Sequence, residues 1–197
     1  MKNKIFIIAE IGINHNGDLS IAKKLIDIAK VAGCDVVKFQ KRNPDICVPE
    51  HQKSVMRDTP WGRMSYLDYK YKVEFEKDEY DEINTYCKDK KIDWTASPWD
   101  LDSLNFLNQY DVPFIKIPSA LLTDLKLIKE SAKTGKKVII STGMSTMDEI
   151  DNAVNAIKES NPHSTYAILH CNSTYPAPND ELNLKCIQTL KERYKCE

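Results

Sequence analysis

Residues 93–143 read DWTASPWDLDSLNFLNQYDVPFIKIPSALLTDLKLIKESAKTGKKVIISTG. Three short apolar runs stand in this stretch, Asp93–Pro98, Phe114–Ser119 and Val138–Gly143. Between them, apolar residues recur at helical spacing, as Leu101, Leu104 and Leu107 and then as Leu125, Ile128 and Ala132. The runs lack strict polar alternation, which is the pattern of strands buried on both faces and therefore of a parallel sheet. Strand and helix alternating in this way specify an α/β architecture.

The same unit recurs on either side. Ile5–Gly12 and Val36–Gln40 lie upstream as candidate strands and Tyr166–Cys171 lies downstream, giving six strand–helix units. Ile21, Leu25, Ile28, Ala29 and Ala32 form an apolar stripe that predicts the first helix, with Gly33 as its C-terminal stop. Tyr80, Ile83 and Cys87 mark the second, and Gly135 ends the fourth. Thr146 and Glu149 stand in capping-box spacing ahead of Ile150, Val154 and Ile157. Leu184, Ile187 and Leu190 predict the last helix. Lys41–Glu74 shows no clear periodicity and reads as a long functional or mobile loop, part of which its Trp61, Tyr66, Tyr69 and Tyr71 should pack down. No internal repeat beyond the βα unit, low-complexity tract or second-domain boundary is visible, so one domain over residues 1–197 is expected.

An open doubly wound sheet and a closed barrel both fit alternating elements. No Gly-x-Gly-x-x-Gly or Walker-type loop is present, which weakens the nucleotide-binding open sheets. Polar groups stand instead at strand ends: Glu10, Lys38, Ser97, Lys116, Ser119 and Ser141. One functional group per strand end is how barrel enzymes build a site, so the expectation is a TIM-type (β/α) barrel, incomplete at about six of eight units.

The totals narrow the classes of function. The 197 residues are 42% hydrophobic and 29% charged, with a formal net charge of −1, which gives no basic excess for a nucleic-acid footprint. No run approaches a membrane span, and Ile5–Ala9 is too short for a signal peptide before Glu10 interrupts it. A cytoplasmic location is expected. The six cysteines include no Cys-x-x-Cys pair and read as reduced thiols. The four histidines stand at no zinc-like spacing to them.

Lys38 and Lys116 each interrupt an apolar strand, in Val-Val-Lys-Phe-Gln and Phe-Ile-Lys-Ile-Pro-Ser. A buried ammonium without a partner is costly, so each must pair with a carboxylate such as Glu10, meet an anionic ligand, or serve as a Schiff-base amine. Two such lysines beside Ser97, Ser119, Ser141 and Ser173 point to a site for a phosphate and a carboxylate. Ser141-Thr142-Gly143 offers backbone amides to the same end. There is no Gly-x-Ser-x-Gly elbow for a nucleophilic serine. Glu10 could pair with a lysine, orient sugar hydroxyls or move a proton. Asn14-His15-Asn16-Gly17 reads as a polar turn, and Pro176 makes the segment after Tyr175 a rigid loop.

Read in order, these segments resemble the sialic acid synthase family. The carrying motifs are Ala9–Gly17, Val37-Lys38-Phe39-Gln40, Thr95-Ala96-Ser97-Pro98, Phe114–Ser119, Ser141-Thr142-Gly143-Met144 and His170–Pro176. The resemblance implies condensation of phosphoenolpyruvate with an N-acyl hexosamine such as N-acetylmannosamine, giving a nine-carbon 2-keto sugar acid and phosphate. It places Lys38, Ser97, Lys116, Ser119, Ser141 and Ser173 on phosphoenolpyruvate, Glu10 and Tyr175 on the amino sugar, and catalysis on Glu10, Lys38 and Lys116. It also implies a divalent metal, Mn²⁺ or Mg²⁺, with ligands expected beyond Glu197 and none assigned here, a homodimer for the full-length enzyme, and an antifreeze-like C-terminal domain not found in these residues. The fragment by itself is then expected to be inactive. Another phosphoenolpyruvate-using sugar acid synthase, a Schiff-base aldolase and a non-catalytic anion-binding fragment are the alternatives. Where some members have an acidic residue, Leu121 stands here, so no proton transfer is assigned to it.

Overall fold

Residues 5–196 are described in this computed structural model, and each of the six apolar runs contains a strand of a parallel ladder. The chain divides into two compact units, Met1–Val112 and Pro113–Glu197.

The first unit runs β1 (Ile8–Gly12), α1 (Leu19–Val31), β2 (Val36–Lys41), α2 (Pro44–Cys47), α3 (Glu50–Lys53), β3 (Met56–Thr59), β4 (Gly62–Ser65), α4 (Tyr66–Val73), α5 (Lys77–Lys90), β5 (Asp93–Pro98) and α6 (Leu101–Leu107). Its main sheet has the order β1-β2-β5, all parallel. The second unit runs β6 (Phe114–Ile117), a 3₁₀ turn at Ser119–Leu121, α7 (Leu125–Lys133), β7 (Lys137–Ser141), α8 (Met147–Ser160), β8 (Tyr166–Leu169), a 3₁₀ turn at Asn179–Glu181 and α9 (Cys186–Tyr194). Its sheet has the order β6-β7-β8, again parallel. The observed class is therefore α/β with parallel sheets, and among the described residues no closed ladder joins them into a barrel.

Each sheet is covered by its own helices. Val36, Val37, Phe39, Ala96, Ile83 and Tyr80 form the centre of the first core, with Phe39 meeting the Tyr80 ring edge-on at 6.3 Å. Ile115, Ile117, Ile128, Val138, Ile140 and Ile157 fill the second. Burying each such branched side chain contributes roughly 1.5–3 kcal/mol. The capping box at Thr146 and Glu149 forms as the spacing predicts. Gly33 and Gly135 end their helices at φ +81° and +75°.

Several details differ from the sequence reading. The first strand begins at Ile8, because Ile5, Phe6 and Ile7 are exposed. Ser119 leaves the fourth strand run for the 3₁₀ turn that follows Pro118. The runs ending at Gly143 and Cys171 stop as strands at Ser141 and Leu169. On α1 the buried stripe is Ala22, Ile26 and Ala29, while Ile28 and Ala32 face outward. The 3.6-residue period holds, but the small residues sit at the centre of the contact. The last helix starts only at Cys186, after Leu184; on it Leu190 and Tyr194 are buried, and both Leu184 and Ile187 are exposed. Residues 41–74 are not a bare loop: three short helices and the antiparallel β3–β4 hairpin occupy them. Arg57 stacks on Tyr66 at 3.7 Å, so the aromatics do pack down. Cys34, Cys47, Cys87, Cys171 and Cys186 are free thiols.

Candidate functional site

Each unit carries its own strand-end cluster of polar groups. In the first, the parallel register sets Glu10 beside Lys38, Lys38 beside Thr95, and Gln40 beside Ser97. Alternation along β2 puts Lys38 and Gln40 on one face. The Lys38 ammonium lies 2.9 Å from Glu10 Oε2 and donates to Ser97 Oγ at 2.9 Å. Lys38 is buried at 3% exposure, whereas the Glu10 side chain is 57% exposed. A buried positive charge is thus held on one side by a hydroxyl and on the other by a carboxylate that solvent reaches.

Behind this face stands a second charged group. The Glu74 side chain is buried and its Oε1 lies 3.4 Å from Lys41 Nζ, while the Arg42 backbone N–H donates to it at 2.8 Å. Burial is the largest influence and raises the Glu74 carboxyl above the usual range, against the pull of Lys41 and Arg42.

The turn after β1 is a rigid support. His15 is buried, stacks on Phe75 with ring centroids 3.9 Å apart, and accepts at Nδ1 from Gly17 N–H at 3.1 Å. Burial pushes its pKa down to about 4, opposed by a hydrogen bond to the Gly12 backbone, so the ring is neutral near pH 7. Gly17 has φ +71°, and a Cβ there would stand 2.2 Å from the Lys72 carbonyl oxygen. The polar turn read from the sequence is therefore a packed fixture.

The second cluster is built of small groups. Lys116 is buried on β6 and donates to the Ile117 carbonyl at 3.2 Å. Ser119 Oγ accepts from Gly143 N–H at 3.0 Å. A Cβ on Gly143 would stand 2.5 Å from Ser173 Oγ and 2.9 Å from Ser119 Oγ. Two hydroxyls therefore close on the Gly143 backbone, and the absence of a side chain there makes that approach possible. Because Ser119 Oγ accepts from the main chain, its own hydrogen is left to donate outward. Ser141 is buried at the end of β7, and Thr142 ties that end to β8 through Leu169 O at 3.0 Å. An open cavity of about 540 Å³ adjoins, lined by Thr142, Ser145, His170, Asn172, Ser173 and Thr189 among others. His170 Nε2 meets Leu182 O at 2.7 Å, which assigns the proton to that nitrogen.

The fold thus brings together Glu10, Lys38 and Ser97 in one unit, and Ser119 with Ser173 in the other. Tyr175 is 91% exposed. Sequence reasoning named the amides of 141–143 but not Gly143 as the meeting point of two serines. It passed over Gln40, although the period of two from Lys38 was a usable signal. Among the described residues no group of three His, Cys, Asp or Glu side chains converges to hold a metal, and His15 and His170 are committed to backbone partners. These residues do not fit the divalent ion that the resemblance implies.

Residues 25–197 match a known family model, that of the NeuB family. The chain belongs to the NeuB family. Its sequence is 39% identical over 197 residues to the N,N'-diacetyllegionaminic acid synthase of Campylobacter jejuni, covering 98% of this chain and 59% of that protein. It is 39% identical over 194 residues to the N-acetylneuraminate-9-phosphate synthase of Drosophila melanogaster, covering 98% and 52%. In structure it is similar to the N-acetylneuraminic acid (sialic acid) synthetase of Leptospira borgpetersenii, solved in complex with citrate. That match has a TM-score of 0.87 at 34% identity, covering 98% of this chain and 63% of the other. This NeuB-family chain therefore spans between half and two thirds of the length of these relatives. No helix among its described residues is long and apolar enough to cross a membrane.

Proposed function

We propose that this chain is the phosphoenolpyruvate-binding part of a synthase that joins phosphoenolpyruvate to an N-acyl hexosamine, N-acetylmannosamine or a related sugar. The product is a nine-carbon 2-keto sugar acid, and phosphate is released. The observation that carries the reading is the Gly143 cradle, where the Ser119 hydroxyl accepts from the Gly143 amide and the Ser173 hydroxyl closes on the bare Gly143 Cα, in the unit that buries Lys116. Such a set suits anionic oxygens. The synthase relatives support the sugar-acid chemistry.

In this reading the methylene carbon of phosphoenolpyruvate attacks the open-chain aldehyde carbon. A carbon–carbon bond forms and the aldehyde oxygen takes a proton. Water adds at the former enol carbon, the carbon–oxygen bond to phosphate breaks, and phosphate leaves with the bridging oxygen. Lys38 and Lys116 hold phosphate and carboxylate charge, with Ser97, Ser119, Ser141 and Ser173 as hydroxyl donors. Glu10 and Tyr175 face the sugar, with Glu10 placed to move the proton. Both contacts of Lys38 are those of an ammonium donor, which favours this electrostatic role over a Schiff base.

The same reading takes residues 1–197 as one (β/α)-barrel domain of the TIM type, with six βα units, in a cytoplasmic enzyme acting on small molecules as a homodimer. The Mn²⁺ or Mg²⁺ that the family resemblance implies belongs to that whole enzyme. The test is calorimetric titration of the chain with phosphoenolpyruvate, followed by turnover of the full-length protein in ¹⁸O-water. Binding that depends on Lys116, with no label in the released phosphate, is expected. Absence of binding, or label in phosphate at the stoichiometry of turnover, overturns the proposal.

A further inference from the structure

Arg42 follows β2 and is 5% exposed. Its guanidinium lies 4.5 Å from the Trp99 ring, and one of its nitrogens, Nη1, is 3.9 Å from Glu74 Oε2 without a hydrogen-bond acceptor. The other, Nη2, donates to the side-chain oxygen of Gln40. A guanidinium has donors only, so the amide beside it must present its oxygen. The Gln40 NH₂ is thereby turned the opposite way. It lies 3.4 Å from where a Cβ on Gly12 would be, over the one residue at the end of β1 that leaves that space open. The Gln40 main chain is fixed as well, its carbonyl accepting from Tyr80 Oη at 3.0 Å. Gln40 is in register with Ser97, whose hydroxyl binds Lys38.

We infer that Arg42 is a positioning residue: it locks the Gln40 amide so that two N–H donors point into the Glu10–Lys38–Ser97 cluster, ready for an oxygen acceptor of the bound substrate. Trp99 and Glu74 hold Arg42 in the plane this requires. The part concerning substrate rests on the function proposed above, whereas the locking of the amide does not.

The chain is small enough for the side-chain amide pair of Gln40 to be observed by NMR, assigned by its disappearance in Gln40→Met. In the unaltered chain that pair should be shifted and slow to exchange. In Arg42→Met it should move to the position of a free glutamine while the rest of the spectrum stays folded. Should loss of the cation beside buried Glu74 unfold that variant, Arg42→Lys keeps the charge and removes the planar fork, and the same movement is expected. An unmoved pair in the folded variant overturns the inference. Phosphoenolpyruvate titration then tests the aim of the donors. Each single variant should bind about fivefold more weakly or worse, and the double variant no worse than either. Additive losses indicate a merely structural arginine and count against the inference. If the unaltered chain does not bind phosphoenolpyruvate, the proposed function fails, and the locking of the amide still stands or falls on the NMR result.

Discussion

The two units solve one problem with different materials. In the first, a buried ammonium is balanced by long side chains: Lys38 by Glu10 and Ser97, with Lys41, Arg42 and Glu74 behind. In the second, short hydroxyls close on a bare backbone at Gly143. Long charged groups reach their partners across neighbouring strands, so the first cluster tolerates small shifts of the main chain. The second depends on backbone approaching within a hydroxyl's reach and tolerates almost none. Each unit is therefore fragile in its own way: the first to changes of charge and protonation, the second to changes of volume.

The largest expected effect tests the protonation side. The His15 pKa is pushed from 6.5 to about 4 in the folded chain, so unfolding takes up a proton between those values. The contribution of His15 is complete above about pH 6.5 and is lost as pH falls towards 4, on the order of 3 kcal/mol by linkage. Denaturant melts of the unaltered chain and His15→Asn across pH 4–7 should diverge by that amount. Hydrogen exchange should loosen residues 12–17 before the Gly143 region. Parallel curves would break the assignment of a desolvated, neutral ring.

Next comes volume. The backbone at Gly143 is outside the positive-φ region, so Gly143→Ala is burdened only by contact with Ser119 and Ser173. Overpacking of this kind costs about 1–3 kcal/mol. The variant should lose phosphoenolpyruvate binding while the first unit melts as before. Unchanged affinity would show that the cradle is not a ligand site.

Charge is the third test. Lys38→Met and Lys116→Met should each weaken phosphoenolpyruvate binding by at least about tenfold, or ~1.4 kcal/mol. Lys38→Met also frees Glu10, whose exposed carboxylate water can solvate, so little stability should be lost with it. Near-normal affinity in both variants removes the anion site from both units.

The smallest effect is a calibration of the second unit. Thr146→Ala deletes the cap of α8 and should cost about 1 kcal/mol in calorimetry without touching the Ser119–Gly143–Ser173 contact. A concurrent loss of affinity would mean that the cradle is softer than its packing indicates.

Much of the fold was legible because its signals are local. Doubly buried strands announce themselves as apolar runs, and Gly33, Gly135 and the Thr146–Glu149 box mark helix ends through backbone chemistry within a few residues. Lys38 and Lys116 stood out because a charge inside an apolar run is costly wherever it folds. Residues 41–74 were opaque because their short elements are held by contacts such as Arg57 on Tyr66, which no short period encodes. The buried stripe of α1 was misplaced because pattern fixes the period of a helix, and its neighbours fix the rotation.

The order of strands and helices along the chain, the parallel class and the two lysines were readable without coordinates, because they follow from local hydrophobicity and the cost of burying charge. It took folding to show that Glu10 answers Lys38, that His15 is stacked and neutral, that Arg42 turns the Gln40 amide, and that Ser119 and Ser173 meet at Gly143. These pairs stand 28, 60, 2 and 54 positions apart where two residues are concerned: Glu10 and Lys38, His15 and Phe75, Gln40 and Arg42, Ser119 and Ser173. Register and loop closure, not residue type, bring the distant ones together. Even the close pair takes its orientation from Trp99 and Glu74, which the chain reaches only by folding back.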